Sequence, residues 1–592
     1  MTSPAIRFAP RWLRGLLLAL AVFLGLFRAI ADRDLQGGDT VSYLDIAFSW
    51  ARGDFGAAVN AFWSPLYSWL LAAMLIVLRP APDWEFTAVS FVGFAVYLGL
   101  LASFLFMWRA VETWRRSSSA GDSASVGPSP VPCSLLAYAL FLWCIVDLTK
   151  LTRSPADMMM AASLFLACGL LARMQTGDLR PVTFALLGSV LGLGYLAKAP
   201  ILPLTPVILI AALLIARRPR LLLPAVGCLL LFVLPWAAVL SLQKRRFTWG
   251  DTAHLNYAFH VNRAPMFHWE GKPEGTGTPV HPPRKLSSSP AFYEFAEPVP
   301  GSYPIWYDPS YWNEGLWPHF ELRQQWEALT RTVPLYQFVL RSRPDLILVP
   351  LILLLHFALL SPGARIGLDR SAWFLFLPAV AGFAMYSLVY VERRHIAVFV
   401  VLFWTAVFAS LRFPESGRTG RLAGRLAVLL LASTLGLILL GVPEDCRAIR
   451  ERPDRVHWQV AQELMRRGAR PGDRIAVIGG GLWSAPLAHL ARVRIAAEIP
   501  PYESTAFWSA ERPTQAALMH RAAQVGIRLV VADCTNCSPP PGCTRFPNTS
   551  VLARFDQRDF YVCDPAAFTA DSPARPDLGR QPPVTGDYPG NP

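Results

Sequence analysis

The residues best suited to chemistry in this sequence are ionisable groups at the edges of apolar runs. Asp39 follows the first apolar run, Asp157 stands at the start of a later one and Lys198 stands at the end of the next. Keeping a charge at such an edge is costly, so each of the three is a functional candidate by default. A carboxylate can accept the proton of an attacking hydroxyl. A fixed cation can stabilise negative charge that develops in a site holding little water.

The two carboxylates also have structural interpretations. Thr40 to Trp50 has helical periodicity, so Asp39 could be the N-cap of that helix, and the apolar side of the helix would suit one lying flat in a membrane interface. Asp157 could cap a helix after Pro155, or it could pair with Lys198 or Arg153 and orient the cation. The sequence leaves these alternatives open.

The composition excludes an ordinary soluble protein. The chain has 592 residues, of which 53% are hydrophobic and 16% charged, whereas soluble chains carry about a quarter charged residues. The net charge of +14 would suit nucleic acid, but the Lys and Arg residues fall in alternate loops between apolar runs. That distribution is typical of cytoplasmic loops in membrane proteins, so we predict no nucleic-acid partner.

The fold class predicted from these runs is mainly α, a polytopic membrane helix bundle with about eleven transmembrane helices. Arg7, Arg11 and Arg14 lie at the start of the first run and predict an amino terminus on the cytoplasmic side of a bacterial inner membrane. The stretch Leu66–Leu78 is short and out of phase with the charge rule, so we interpret it as lying in the outer interface. The predicted spans are about 13–30, 86–108, 133–149, 156–172, 181–199, 201–216, 221–241, 346–360, 372–391, 395–411 and 426–442.

This topology predicts a transmembrane domain over 1–442, a periplasmic α/β domain over 443–566 and a disordered Pro-rich tail over 567–592. The periplasmic domain should contain helices near Trp458–Arg467 and up to His489, with strands at Arg474–Ile478 and Ile527–Val531. Gly479-Gly480-Gly481 lacks the full phosphate-binding spacing, so a tight turn is the preferred interpretation. Disulfides are expected among its cysteines, with the pairing open and a zinc knuckle as the alternative: Cys446, Cys534, Cys537, Cys543 and Cys563.

The outer segments include 31–85 and a long insertion at 242–345. The insertion is rich in Trp, Tyr and Pro between Tyr303 and Trp312, which favours either a lid over the active site or an anchor in the membrane interface. His281, Arg284 and Asp308 are candidate contacts with an acceptor there.

Four motifs together resemble the GT-C class of membrane glycosyltransferases, which includes aminoarabinose transferases, protein mannosyltransferases and rhizobial lipopolysaccharide glycosyltransferases. They match in order and sidedness over about 30–200: Gly38-Asp39, Trp63-Ser64-Pro65-Leu66-Tyr67, Ser154-Pro155-Ala156-Asp157 and Gly194-Tyr195-Leu196-Ala197-Lys198-Ala199-Pro200. The chain departs from aminoarabinose transferases at Trp63-Ser64, where those enzymes carry a charged residue. A metal site built from that position is therefore not expected.

The resemblance implies inverting transfer of a sugar from a polyprenyl phosphate to an acceptor hydroxyl on a lipid, glycan or protein. Asp39 matches the catalytic base and Lys198 the phosphate-binding lysine. Further cations for the phosphate are Arg153, Arg393 and Arg394, although Arg393, Arg394 and His395 could instead snorkel to lipid headgroups. Supporting or acceptor-binding roles fall to Asp157, Asp45, Tyr43 and Trp63. No cofactor is required, but Asp39 with Asp157 could supply a divalent-cation site.

Two other classes of protein fit the sequence less well. A secondary transporter should show repeated halves and interrupted helices, and the sequence has no internal repeat. A membrane scaffold or sensor would explain the outer tail, but not Asp39 and Lys198 at the positions the transferases use. The enzyme interpretation predicts that these two residues converge on one cavity at the periplasmic rim.

Overall fold

The computed structural model describes residues 11–119, 130–145, 154–297, 299–360, 370–410, 418–534, 537, 539–547 and 559–569. In chain order the α-helices are α1 Arg11–Ala31, α2 Gly38–Ala51, α3 Phe55–Ala58, α4 Pro65–Leu78, α5 Pro82–Ser119, α6 Pro130–Trp143, α7 Pro155–Gln175, α8 Pro181–Ala197, α9 Ile201–Ala216, α10 Leu222–Lys244, α11 Thr252–His260, α12 Pro304–Tyr307, α13 Pro309–Trp312, α14 Leu322–Ser342, α15 Pro344–Leu360, α16 Trp373–Ser387, α17 Arg393–Ser410, α18 Arg418–Glu451, α19 Val456–Arg466, α20 Gly481–Leu490, α21 Pro501–Ser509 and α22 Arg512–Gln524. The strands are β1 Arg284–Ser288, β2 Ala291–Glu294, β3 Arg474–Ile478, β4 Arg494–Ile499, β5 Ile527–Cys534, β6 Thr544–Phe546 and β7 Asp559–Cys563.

The chain forms two compact units. One, the helical unit, comprises 1–29, 93–261 and 320–445; the other, the sheet unit, comprises 30–92, 262–319 and 446–592. The sheet unit therefore gathers the first outer loop, part of the long insertion and the tail. The sequence assigned the α/β domain to 443–566 alone, and it gave no indication that these segments fold together.

Every predicted transmembrane span overlaps an α-helix, which confirms the mainly α fold class. Within the described ranges, six helices are long and apolar enough to cross a bilayer: Arg14–Ala31, Pro82–Ser117, Pro155–Gln175, Pro219–Lys244, Arg393–Ser410 and Arg421–Glu451. The other predicted spans coincide with shorter apolar helices: α6, α8, α9, α15 and α16. The number of crossings, eleven, stays a prediction.

Helix boundaries in this chain follow local chemistry. The helices α4, α7 and α8 each begin with proline at the first helical position, where the missing N–H costs nothing because it would have no intrahelical partner. Three apolar helices end at an arginine in the left-handed conformation, at Arg79, Arg217 and Arg245 with φ of 43°, 53° and 50°. A cation at that end also complements the negative pole of the helix dipole.

The helical unit is centred on α7, most of whose residues are buried and which packs against α8, α9, α16 and α17. Its first turn carries Asp157, so this carboxylate is buried with the helix. Neighbouring helices approach closely through glycine: a Cβ on Gly188 of α8 would lie 1.9 Å from the carbonyl oxygen of Ala225 in α10. Such packing fixes α8 against α10.

The sheet unit contains, among the described residues, a seven-stranded sheet in the order β1-β2-β4-β3-β5-β7-β6. Strands β4, β3 and β5 are parallel and the outer pairs are antiparallel. The predicted strands at Arg474–Ile478 and Ile527–Val531 and the predicted helices α19 and α20 are confirmed. Strands β1 and β2 come from the long insertion, which the sequence did not assign to this sheet.

Helix α2, which begins one residue before Asp39, is buried on nearly all sides. It packs against α4, α12 and α20 within the sheet unit. The prediction of a helix at Thr40–Trp50 is confirmed, and its polar and apolar residues alike are covered by protein. Its placement flat in a membrane interface stays a prediction. Ser42, Asp45 and Ser49 are buried together with Val41 and Leu44.

The aromatic part of the insertion is also internal. Tyr303, Trp306, Tyr307 and Trp312 are buried, and α12 lies against α2. Asn60 Nδ2 donates to the carbonyl oxygen of Tyr307 at 2.8 Å, and the Tyr307 hydroxyl donates to the Ala57 carbonyl at 2.6 Å. These four rings are therefore covered by the sheet unit itself, and the lid and the membrane anchor both stay predictions.

Candidate active site

Asp39 lies in the first turn of α2, and Gly37 rather than Asp39 occupies the N-cap position. The N-cap interpretation of Asp39 is therefore wrong. Its carboxylate is half-buried, and the indole Nε1 of Trp306 donates a hydrogen bond to Oδ1 at 3.1 Å. The sequence did not indicate this partner, which lies 267 residues further along the chain. The bond fixes the orientation of a carboxylate at the start of a helix.

Trp306 is itself held by two residues of the first outer loop. The Ser42 hydroxyl and the Trp63 indole Nε1 both donate to the carbonyl oxygen of Trp306, each at 3.0 Å. Tyr43 packs edge-on against Trp63, with ring centroids 5.0 Å apart. Trp63 thus holds the residue that orients Asp39, and Tyr43 packs on Trp63. The supporting role predicted for both in the reaction stays a prediction.

Lys198 and Asp157 form an ion pair in the helical unit. Lys198 is the C-cap of α8 and Asp157 lies in the first turn of α7, so packing of α7 on α8 brings the two groups together. The pairing predicted as one alternative for Asp157 is present, and its N-cap alternative is wrong because Ser154 occupies that position. The Asp157 side chain is 4% exposed and that of Lys198 is 21% exposed.

Arg394 joins the same group of residues. Its Nε lies 4.0 Å from Asp157 Oδ2 and donates to Glu392 Oε2 at 2.5 Å, while Nη1 donates to the Ser154 hydroxyl at 3.3 Å. Burial raises the pKa of Glu392, but Arg394 and His395 outweigh burial and hold that pKa at about 2. Two partly exposed cations therefore surround the buried Asp157 carboxylate.

The remaining predicted cations are placed differently. The guanidinium of Arg393 stacks over the Phe338 ring, 4.0 Å from its centroid. This cation–π contact separates its environment from that of Arg394, although the two residues are adjacent. The His395 ring stacks on Tyr386. Arg153 lies outside the described residues, so its predicted role stays a prediction.

The three candidate residues of the insertion each have a local partner in the sheet unit. His281 Nε2 lies 3.0 Å from Glu314 Oε2, with its ring stacked on Tyr311. Arg284 pairs with Glu294 across β1 and β2. Asp308 is the N-cap of α13 and accepts a hydrogen bond from its backbone. These contacts are structural, and contact with an acceptor stays a prediction.

A buried group of charges around Asp45 includes residues that sequence reasoning missed. His489 of α20 contacts Asp45 Oδ1 through Nδ1 at 2.5 Å and Glu85 Oε1 through Nε2 at 2.7 Å. Arg492 pairs with the other oxygen of Glu85. Burial alone would lower the pKa of His489, but Glu85 and Asp45 raise it to about 9. The only sequence signal was Glu85 at the edge of an apolar run.

The cysteines of the tail form two disulfides, Cys534–Cys537 and Cys543–Cys563, and leave Cys446 exposed and free. This resolves the pairing and replaces the zinc-knuckle alternative. In the described part of the chain there is no cluster of three or more potential metal ligands. Gly479 has φ of 117°, and a Cβ there would lie 2.4 Å from the Asp533 carbonyl oxygen, which accounts for a tight turn at the triple glycine.

The described residues thus define a mainly helical protein with apolar helices of membrane-spanning length and with charged groups fixed at helix ends. No protein-family model and no curated protein matches the sequence. Among solved structures the chain is similar to ArnT from Cupriavidus metallidurans bound to undecaprenyl phosphate, at 13% identity and a TM-score of 0.43 over 94% of this chain and 98% of that one. It is also similar to the apo state of the same protein, at 12% identity and a TM-score of 0.48 over 96% of this chain and 100% of the other.

Proposed function

We propose that this chain is an integral membrane glycosyltransferase that moves a sugar from a polyprenyl-phosphate donor to an acceptor hydroxyl at the periplasmic face. The amino terminus would be cytoplasmic and the sheet unit periplasmic, as the distribution of Lys and Arg indicates. The acceptor would be a lipid, glycan or protein of the cell envelope. The observation that carries the proposal is the ion-paired group of Asp157, Lys198 and Arg394, in which Asp157 and Lys198 belong to two of the motifs that resemble such enzymes.

The exposure of these side chains suits recognition of a phosphate. Asp157 is 4% exposed, whereas Lys198 is 21% and Arg394 28% exposed, so the accessible groups are the cations. Arg can contact two phosphate oxygens at once, and Lys acts as a point charge. Because the carboxylate already fixes both cations, little reorganisation is needed when the phosphate leaves with its negative charge.

Asp39 is proposed as the general base that accepts the proton of the acceptor hydroxyl. In the proposed step the acceptor oxygen forms a bond to the anomeric carbon, and the bond from that carbon to the phosphate oxygen breaks with its electron pair remaining on the phosphate. The hydroxyl proton passes to the Asp39 carboxylate, which Trp306 orients. The anomeric configuration inverts. A metal ion is not needed to balance this step.

The proposal is tested with membranes that contain the chain and a radiolabelled polyprenyl-phosphate sugar. We expect label to move from the carrier to an acceptor in wild type, and transfer to be lost in Asp39→Asn. Asp54→Asn is a matched control, because Asp54 is a carboxylate of the same loop that only caps α3. Equal transfer by Asp39→Asn and wild type would refute the assignment. Solute flux into sealed vesicles without release of carrier phosphate would indicate a transporter instead.

A further inference from the structure

His489 lies at the centre of a buried, charge-balanced group in the sheet unit. Its side chain is 2% exposed, that of Asp45 is 9% exposed and that of Glu85 is fully buried. Each ring nitrogen faces a carboxylate oxygen, and Arg492 Nη1 also lies 3.0 Å from Nε2. The two carboxylates favour the imidazolium form, in which both ring nitrogens are donors. Arg492 forms an ion pair with Glu85 and is the second positive charge of the group. Two cations and two anions balance, which permits burial of the histidine and both carboxylates, while the Arg492 side chain is 28% exposed.

Asp45 carries the connection from His489 to the insertion. The backbone N–H of Ser302 donates to Asp45 Oδ2 at 2.7 Å, and the Ser302 hydroxyl donates to Oδ1 at 3.1 Å. The same Oδ1 accepts a hydrogen bond from Nδ1 of the protonated His489 ring. Asp45 therefore holds the segment that begins at Ser302 against α2, and His489 holds Asp45.

The segment fixed at Ser302 leads directly to the residue that orients Asp39. Trp306 follows four residues later, its backbone N–H donating to the Tyr303 carbonyl at 3.1 Å. Its indole Nε1 then donates to Asp39. Asp39 and Asp45 lie on one helix, so the two carboxylates of α2 contact two points of one short segment. Any shift of that segment along α2 would move the indole away from Asp39.

We infer that His489 is a positioning residue for the proposed base: through Asp45 and Ser302 it fixes the segment whose Trp306 orients the Asp39 carboxylate. The inference rests on the proposed function and gives the carboxyl-terminal part of the chain a role in it. A helix that is 450 residues from Asp39 in sequence, α20, would thereby help to set the geometry of the base. The role requires neither contact with the substrate nor proton transfer by His489.

The test uses the full-length chain in membranes, with the transfer assay described above and transfer normalised to folded protein. In His489→Gln the ring is replaced by an amide that cannot donate to both carboxylates. We expect kcat to fall by about 10-fold to 100-fold, because small misplacement of a catalytic group is costly. The KM for the donor should stay unchanged. His457→Gln is the matched control, since His457 is a buried histidine of the same unit that contacts the Asp454 carbonyl; its kcat should equal that of wild type.

A double substitution separates positioning from general loss of stability. Asp45→Asn should lower kcat as His489→Gln does, and the pair should be no worse than either alone, because both act through one connection. If His489→Gln does not fold, Ser302→Ala, which removes one hydroxyl, should lower kcat several-fold at unchanged KM. Unchanged kcat in folded His489→Gln, or in Ser302→Ala, would overturn the inference while transfer by wild type and its loss in Asp39→Asn left the proposed function intact. Absence of transfer in wild type would refute the proposed function itself.

Discussion

Removing Lys198 and Asp157, singly and together, distinguishes a phosphate contact from a structural ion pair. Lys198→Met leaves the buried Asp157 carboxylate with Arg394 as its remaining cation, at 4.0 Å. Breaking a buried pair by removing one partner typically lowers the free energy of unfolding by about 3 to 5 kcal/mol. Because Arg394 remains, we expect a loss of about 3 kcal/mol. The double variant Lys198→Met with Asp157→Asn has no buried carboxylate at this position, so its stability should return to within about 1 kcal/mol of wild type.

Activity should behave differently from stability. If Lys198 stabilises the leaving phosphate, its removal costs about 10²-fold to 10³-fold in kcat, as for other fixed donors to a developing anion. That loss should persist in the double variant although its melting temperature in detergent recovers. Lys244→Met, at the end of α10, is the matched control and should change neither quantity. Recovery of activity together with stability in the double variant would refute the phosphate contact and leave a structural pair.

Three further predictions concern packing, oxidation and pH. Gly188→Ala should destabilise the helical unit, because its Cβ would lie 1.9 Å from the Ala225 carbonyl oxygen, whereas Gly227→Ala meets open space and should be neutral; melting temperatures compare them. Reducing Cys543–Cys563, whose residues are 20 positions apart, should cost the sheet unit about 3 kcal/mol, seen as a lower melting temperature with reductant that Cys446→Ser does not reproduce. Glu85 and Asp45 outweigh burial and raise the pKa of His489 from 6.5 to about 9 in the folded state, with Arg492 beside them. Protonated His489 should therefore stabilise the folded state by about 3 kcal/mol below pH 6.5, and this contribution should be lost as pH rises through about 9. Unfolding of wild type against pH should show this loss and His489→Gln should not; parallel profiles would contradict the charge assignment.

The sequence predicted those features that depend on local pattern. Apolar runs of sufficient length indicated the helices, since helical backbone satisfies its own hydrogen bonds wherever it lies. Short apolar runs indicated β3 and β5, and the triple glycine indicated the turn at Gly479. The Asp157–Lys198 pair was one of the stated alternatives because both residues stood at the ends of consecutive apolar runs. The prediction of convergence between Asp39 and Lys198 stays a prediction.

Features that depend on distant segments were missed. His489 is 444 residues from Asp45 and 404 from Glu85, and no periodicity in one sequence reports such contacts. Trp306 was noted only as one ring in an aromatic stretch. Its burial against α2 was missed, because amphipathic patterning cannot distinguish a lipid surface from a protein surface. Strands β1 and β2 were missed since they complete a sheet whose other strands begin 180 residues later, at Arg474.

The most direct test of the proposed reaction is product analysis in a single turnover with purified chain and a defined polyprenyl-phosphate sugar. The account predicts one carrier phosphate released for each glycoside formed, inverted configuration at the anomeric carbon, and no product from Asp39→Asn. Retained configuration, or the same product from Asp39→Asn at the wild-type rate, would contradict it.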